Sequence, residues 1–128
     1  MIDHTGVVVS DHARSRDFYV NALAPLGYQL LADLPAAVTG HTDVSGFGEP
    51  PKPDFWISRG TPNHPPVHIA LRANSRAAVD AFHRAALAAG GQDNGAPGLR
   101  PHYHANYYGA FVLDPDGHNI EAVCHLPE

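Results

Sequence analysis

The segment AFVLDPDGHNIEAV, residues 110–123, decides the fold of this chain. Its centre, DPDG at 114–117, is a strong turn, because proline fixes φ at the second position and glycine accepts a positive φ. Apolar residues flank the turn on both sides, so the segment predicts a β-hairpin. A three-residue loop then sets three pairs of residues opposite one another: Asp114 and His118, Phe111 and Glu121, and Tyr107 and His125.

Two stretches of the chain share one order of predicted elements. Residues 5–9 (TGVVV) predict a strand, and Ser10-Asp11 opens a helix with an apolar stripe. Residues 67–73 (VHIALRA) and the helix that Asn74-Ser75 opens repeat that order 64 residues later. The repeat predicts an α+β fold of two tandem β-α-β-β-β modules. We expect one domain, 1–128, made of a first module, 1–63, and a second module, 64–128.

Glycine and proline, 24 of 128 residues, cluster at 46–66 and 90–101, which predicts loops in both stretches. Strand-like sequence also follows each predicted helix. The predicted strands are 28–34, 37–44 and 54–58 in the first module, and 107–113 and 119–125 in the second.

Strand alternation places three polar residues on one side of the predicted sheets. His4 lies opposite the apolar side of its strand, His68 opposite Ile69 and Leu71, and Glu121 on the corresponding side of the last strand. A carboxylate there, with no Arg or Lys near it in sequence, is costly to bury unless a cation neutralises it. Two histidines and one carboxylate also form a recognised ligand set for a divalent metal. Any one of them alone is more often structural, but the three together favour a metal site.

Charge and composition exclude several classes of function. Eight Lys and Arg against 13 Asp and Glu give a net charge of −5, and no basic run exists, so nucleic-acid binding is disfavoured. Residues 1–10 lack the features of a signal peptide, and no apolar run approaches the roughly 18 residues of a membrane-spanning helix. One cysteine, Cys124, agrees with a reducing compartment. We therefore expect a cytoplasmic protein that binds neither nucleic acid nor membrane.

Together these residues resemble the vicinal oxygen chelate superfamily, which includes glyoxalase I, extradiol dioxygenases and bleomycin-resistance proteins. The likeness covers essentially the whole chain, and its most specific part is DPDG with the following NIE. The segment GAPGLRPHYHANYYGAF is similar to a glyoxalase-like branch of that superfamily. The resemblance implies two βαβββ modules whose sheets curl into a half-barrel cleft.

That resemblance also implies a site in the cleft. His4, His68 and Glu121 match three positions that bind a divalent metal (Zn, Ni, Mn or Fe(II)), which chelates two neighbouring oxygens of a small-molecule substrate. A fourth ligand, Glu or Gln in glyoxalase I, falls on or beside Trp56 here. Tryptophan donates one N–H and cannot act as a metal ligand. The glyoxalase I mechanism is therefore not expected, and Trp56 is interpreted either as an aromatic wall over the substrate or as core packing.

Further candidates lie between the second helix and the hairpin. His102 and His104 form an H-x-H pair whose rings point the same way in an extended chain. They are candidates for acid–base or substrate contacts, with a second metal site or simple loop ordering as alternatives. The residues that could bind an anionic or phenolic group are Arg100, Tyr103 and Tyr107.

These candidates divide by role. The catalytic candidates are Glu121 and His102. The candidate substrate-binding residues are Trp56, Arg100, His104, Tyr107 and Phe111. Five other histidines are expected to be exposed to solvent: His12, His41, His64, His83 and His118.

Two classes of function remain open at this point. The first is a metalloenzyme, of the lyase, isomerase or dioxygenase type, whose cation acts as a Lewis acid on adjacent oxygens. The second is a non-catalytic protein that binds a small molecule or drug, as in the bleomycin-resistance branch. The retained ligand residues favour the enzyme, whereas the net charge of −5 would suit a cationic drug. In either case we expect a homodimer.

Overall fold

Each half of the chain forms a strand, a helix and three more strands, and the computed structural model describes all of residues 1–128. In the first half these are β1 (Thr5–Val9), α1 (His12–Leu23), a 3-10 turn (Ala24–Leu26), β2 (Gln29–Leu34), the short α2 (Ala36–Thr39), β3 (Val44–Gly48) and β4 (Phe55–Arg59). In the second half they are β5 (His68–Arg72), α3 (Arg76–Ala88), β6 (Gln92–Leu99), β7 (Tyr108–Leu113) and β8 (Asn119–Cys124). The α+β class with a repeated βαβββ unit is confirmed.

Each half builds one mixed four-stranded sheet. The strand order is β1-β4-β3-β2 in the first sheet and β5-β8-β7-β6 in the second. The first strand of each half runs parallel to the last strand of that half, and the other neighbours are antiparallel. Both sheets keep free edges, so neither closes into a barrel. None of the helices combines the length and the apolarity needed to cross a membrane.

The helices begin at the predicted capping residues. The Asp11 carboxylate accepts a hydrogen bond from the backbone N–H of Arg14, which satisfies one of the free donors at the start of α1. The Ser75 hydroxyl does the same for the N–H of Ala78 in α3. Gly27 ends the first helical segment with φ 84°, a left-handed conformation that favours glycine.

One hydrophobic core of 19 buried residues draws on both halves of the chain, and α1 packs against α3 within it. The predicted stripe of α1 is buried throughout. In α3 the residue Leu87 was predicted to be buried, but it is 37% exposed. It follows the buried Ala86 and therefore points about 100° further around the helix. The helix residues of the core are Phe18, Tyr19, Ala22, Leu23, Val79, Phe82 and Ala86.

Strand alternation is confirmed on the side that faces the helices. Val7 and Val9 of β1 are buried in the core, and so are Ile120, Ala122 and Cys124 of β8. The hairpin register is also confirmed, because Phe111 lies directly opposite Glu121. Glu121 is therefore on the side of its sheet that faces away from the helices.

The DPDG turn is tied to the first half of the chain. One Asp114 oxygen accepts the backbone N–H groups of Asp116 and His118, and the other accepts the Tyr19 hydroxyl at 2.5 Å. Ser10 donates from both its backbone N–H and its hydroxyl to the Asp116 carboxylate. These bonds fix the start of β8 relative to β1 and α1.

Three of the five histidines predicted to be exposed are not freely exposed. His118 is fully buried, because its Nδ1 accepts the N–H of Val67 and its Nε2–H donates to the carbonyl of Val8, both at 3.0 Å. The His83 side chain is only 12% exposed and donates to Asp93. His12 is half-buried against the Ser45 hydroxyl.

Parts of the predicted strands and loops are wrong. Residues 37–44 were predicted as a strand, yet 36–39 form α2 and the strand β3 begins only at Val44. The glycine- and proline-rich stretches predicted as loops contain most of β3 and the whole of β6, as well as β4, whose sequence was also recognised as strand-like. The strand structure of β3 and β6 comes from pairing with neighbouring strands, which local composition does not reveal.

Candidate metal and substrate site

Glu121 is the most buried charged group on the open side of the second sheet, with 1% of its surface exposed. One carboxylate oxygen accepts the Nε2–H of His68 at 3.0 Å, and the other accepts the Tyr107 hydroxyl. No Lys or Arg forms an ion pair with it. The parallel pairing of β5 and β8 sets the small residue Ala70 beside Glu121, which leaves room for His68 to reach the carboxylate. The structure thus brings a buried carboxylate together with a nitrogen of a histidine whose side chain is 52% exposed.

Phe111 lies against this pair. Its ring centroid is 6.2 Å from the His68 ring, and the guanidinium carbon of Arg100 lies 5.5 Å from the same centroid. Two of the predicted substrate-binding residues, Arg100 and Phe111, are therefore in contact with each other. Both lie in the neighbourhood of the His68–Glu121 pair.

An aromatic cluster surrounds Tyr107 next to Glu121. The Tyr107 ring lies 4.7 Å from Tyr103, 5.5 Å from His104 and 5.4 Å from His125. Its hydroxyl is the donor to Glu121. Burial, and then the hydrogen bond to Glu121, raise the pKa of Tyr107 above its ordinary value of about 10. Tyr107 therefore keeps its proton at neutral pH and remains a donor.

His104 has a defined role within this cluster. Its Nδ1 accepts the backbone N–H of Asn106 at 3.1 Å, so its proton is on Nε2, which donates to Nδ1 of His125 at 2.9 Å. Both rings are thereby held against Tyr107. The His102 ring packs against Tyr103 at a tilt of 46°, with 4.2 Å between the ring centroids, and no hydrogen bond joins His102 to Glu121.

The remaining predicted residues belong to the first half of the chain: Trp56 lies in β4, and His4 directly precedes β1. His4 is 61% exposed and donates to the Asp3 carboxylate at 2.7 Å. It lines a cavity of about 550 Å³ with Gly6 and Trp56. The Trp56 ring covers Gly46, where a Cβ atom would fall 2.9 Å from it. Trp56 thus lies on the open side of its sheet beside His4.

The structure brings the candidates together as two groups. Around Glu121 lie His68, Arg100, His104, Tyr107 and Phe111, and around His4 lies Trp56. No three His, Cys, Asp or Glu side chains in the chain form a group that could hold a metal ion. His4 therefore does not join His68 and Glu121 within a single chain, although all three were predicted on corresponding faces. The two halves form separate sheets, so residues at corresponding positions of the repeat need not be close together in space.

One residue of this site was not among the predicted site residues. His125 is opposite Tyr107 in the predicted register, so the sequence did carry a signal for it. Its bond to His104 joins the end of β8 to the loop before β7, and no local pattern indicates that contact.

The family model described as Glyoxalase/Bleomycin resistance protein/Dioxygenase superfamily matches residues 1–122 of the chain. No curated protein matches the chain at a significant level. Solved structures do match. A glyoxalase/bleomycin resistance protein from Albidiferax ferrireducens T118 is 26% identical with a TM-score of 0.73, and the match covers 97% of this chain and 98% of that one.

Two more distant structures share the fold. A mutant of the fosfomycin resistance protein FosX from Listeria monocytogenes, complexed with Mn(II) and 1S,2S-dihydroxypropylphosphonic acid, is 17% identical with a TM-score of 0.69. That match covers 96% of this chain and 90% of FosX. A mutant of glyoxalase I from Zea mays is 19% identical with a TM-score of 0.67 over 95% of this chain and 44% of that one.

Proposed function

The chain belongs to the glyoxalase/bleomycin resistance protein/dioxygenase superfamily, and on that premise we propose that it is an enzyme that uses a divalent metal to bind two neighbouring oxygens of a small substrate. The observation that carries this proposal is the buried Glu121 carboxylate with the His68 ring nitrogen 3.0 Å away. Relatives of the same fold include a glyoxalase I and a fosfomycin resistance protein complexed with Mn(II), which supports the proposal.

The residues around Glu121 fit a metal ion. An imidazole nitrogen and a carboxylate suit Zn²⁺, Ni²⁺, Mn²⁺ or Fe²⁺. Glu121 has no Lys or Arg partner, and its hydrogen-bond partners are His68 and Tyr107, so a cation there would compensate a buried carboxylate. The ion would take the place of the hydrogen between Nε2 of His68 and Glu121, and a neutral His68 ring would then carry its proton on Nδ1.

His4 completes the ligand set in this proposal, and it does so from a second copy of the chain. Within one chain no group of three ligands forms, whereas each open sheet side carries part of the set. A homodimer that opposes the first sheet of one copy to the second sheet of the other would bring His4 and Trp56 to His68 and Glu121. The site would then have one wall from each copy.

The chain's own residues divide the remaining tasks. When bound, the metal supplies Lewis-acid polarisation of two adjacent substrate oxygens. Tyr107 keeps its proton and orients the Glu121 carboxylate through their hydrogen bond. Phe111 and Trp56 offer apolar walls that exclude water. Glu121 is the first candidate for moving a substrate proton. His102, which packs against Tyr103 at the outer end of the aromatic cluster, is the second candidate for that role.

A second candidate function rests on a different observation. His4 is 61% exposed and lies apart from His68 and Glu121 within the chain. A protein that binds a small molecule without catalysing a reaction does not need these three residues to meet. The cavity of about 550 Å³ beside Trp56 has the size of a small-ligand pocket. We rank this function second because it gives the buried Glu121 carboxylate no role.

Metal content separates the two functions. We expect about one Zn, Ni, Mn or Fe ion per chain after dialysis of the protein against these metals near pH 7.5, measured by elemental analysis. Glu121→Gln and His68→Asn should each lower occupancy at least tenfold, whereas His41→Asn, which removes an exposed histidine elsewhere, should leave it unchanged. Equal occupancy in all four proteins, or none in any, would exclude this metal site and favour the binding protein.

A further inference from the structure

Arg100 is fixed beside the candidate site without a carboxylate partner. Its Nη1 donates to the carbonyl of Gly98 at 2.9 Å and its Nη2 to the carbonyl of Ala96 at 2.8 Å. Neither acceptor carries a charge, and Arg100 forms no salt bridge, unlike Arg16, Arg59 and Arg76. Since a guanidinium has five N–H donors, three of them remain for another group.

The backbone of β6 is shaped to hold this guanidinium. The pairing of β6 with β7 shifts register between Gly95 and Gly98, and the Ala96 carbonyl in that interval accepts Arg100. A Cβ at Gly98 would fall 3.2 Å from Nη1, and one at Gly95 would fall 2.9 Å from the Phe111 ring. The two glycines therefore leave room for Arg100 and Phe111 beside the strand.

The position of Arg100 relative to the metal candidates suggests a function. Its guanidinium carbon and the His68 ring lie 5.5 Å and 6.2 Å from the same Phe111 centroid. A small molecule resting on Phe111 could therefore reach both groups. In a chain with net charge −5, an uncompensated and immobilised guanidinium is a local attraction for anions.

We propose that Arg100 binds an anionic group of the substrate, a carboxylate or a phosphonate, while the chelating oxygens of the same molecule lie toward His68 and Glu121. The position of the chelating oxygens rests on the proposed function. The binding of an anionic group by Arg100 does not depend on it. Arginine suits the role because its planar fork binds such groups through two parallel hydrogen bonds. The substrate class is thus a small acid with two adjacent oxygens at a distance from its anionic group.

Three probes test the two halves separately. Succinate carries only the anionic group, acetohydroxamate only two adjacent chelating oxygens, and succinohydroxamate carries both. Each is titrated into the wild-type chain and into Arg100→Gln, with and without Mn²⁺. Arg84→Gln is the matched control, because Arg84 is an exposed arginine on α3. Arg100→Lys keeps the charge but loses the fork.

With Mn²⁺ present we expect the wild-type chain to bind succinohydroxamate roughly 10- to 100-fold more tightly than acetohydroxamate, the gain of a hydrogen bond between charged groups. Arg100→Gln should abolish that difference and leave acetohydroxamate binding unchanged. Arg100→Lys should keep part of the difference, and Arg84→Gln all of it. Equal losses in Arg100→Gln and Arg84→Gln would overturn the proposal.

The metal-free arm keeps the two proposals distinguishable. Succinate should shift the Arg100 Nε–Hε resonance of the wild-type chain in proton–nitrogen spectra, without any metal. If acetohydroxamate fails to bind with Mn²⁺ while succinate still shifts this resonance, the metal site is wrong and the anion site stands. If succinate leaves the resonance unchanged and Arg100→Gln binds succinohydroxamate like the wild type, the anion site is wrong.

Discussion

Tyr107→Phe removes one of the two donors to the buried Glu121 carboxylate and should destabilise the metal-free protein. Glu121 is 1% exposed, so water cannot replace the lost hydroxyl. A hydrogen bond to a charged group contributes about 1.5–3 kcal/mol, and we take about 1–2 kcal/mol because Tyr107 is itself only half-buried. In a chain of 128 residues this corresponds to a fall in Tm of roughly 3–8 °C.

Urea unfolding of both proteins at pH 7.5, in the presence of a chelator, measures the difference. Tyr103→Phe is the control. Tyr103 belongs to the same aromatic cluster, but it is 60% exposed and its hydroxyl donates no hydrogen bond to a carboxylate. Saturating Mn²⁺ should shrink the Tyr107→Phe deficit, because the cation becomes a partner of Glu121. A Tyr107→Phe protein as stable as Tyr103→Phe without metal would refute the reasoning.

Three further outcomes are expected. The metal-loaded protein should turn over the methylglyoxal–glutathione hemithioacetal slowly or not at all, because Trp56 offers no carboxylate; a kcat/KM on the order of 10⁶ M⁻¹s⁻¹ would contradict this. Burial and carboxylate hydrogen bonds raise the pKa values of Tyr19, Tyr28, Tyr107 and Tyr108, so the unfolded chain loses these protons first. The free energy of unfolding should therefore fall as pH rises above about 10, which urea titrations at pH 9 and 10.5 can check. Sedimentation should give a mass twice that of the 13.7 kDa chain, and a single-chain mass at micromolar concentration would exclude the dimer.

The elements with strong local signals were predictable from the sequence. The caps Asp11 and Ser75, the DPDG turn and the register that sets Phe111 opposite Glu121 all depend on neighbouring residues. In contrast, β6 contains Gly95, Pro97 and Gly98, and nothing local favours a strand there. It becomes one because β7 offers hydrogen-bond partners, with shifts of register at the glycines.

The site was predictable residue by residue but not as an assembly. Alternation correctly placed Glu121 on the open side of β8, and the register correctly placed Tyr107 near His125. No local pattern shows that His118, next to a turn, has both ring nitrogens bonded to the backbone of two distant segments. Nor does the repeat show that His4 and His68 belong to two separate sheets.

The most direct test of the metal proposal is anomalous diffraction from crystals soaked with Mn²⁺ or Zn²⁺ near neutral pH, where histidine is a competent ligand. We predict one peak per chain at roughly 2.0–2.3 Å from Nε2 of His68 and from a carboxylate oxygen of Glu121, with His4 of a second copy as a further ligand. No peak beside Glu121 after soaking with Zn, Ni, Mn and Fe(II) would contradict the metal site. A peak on His68 and Glu121 without His4 would contradict the shared site.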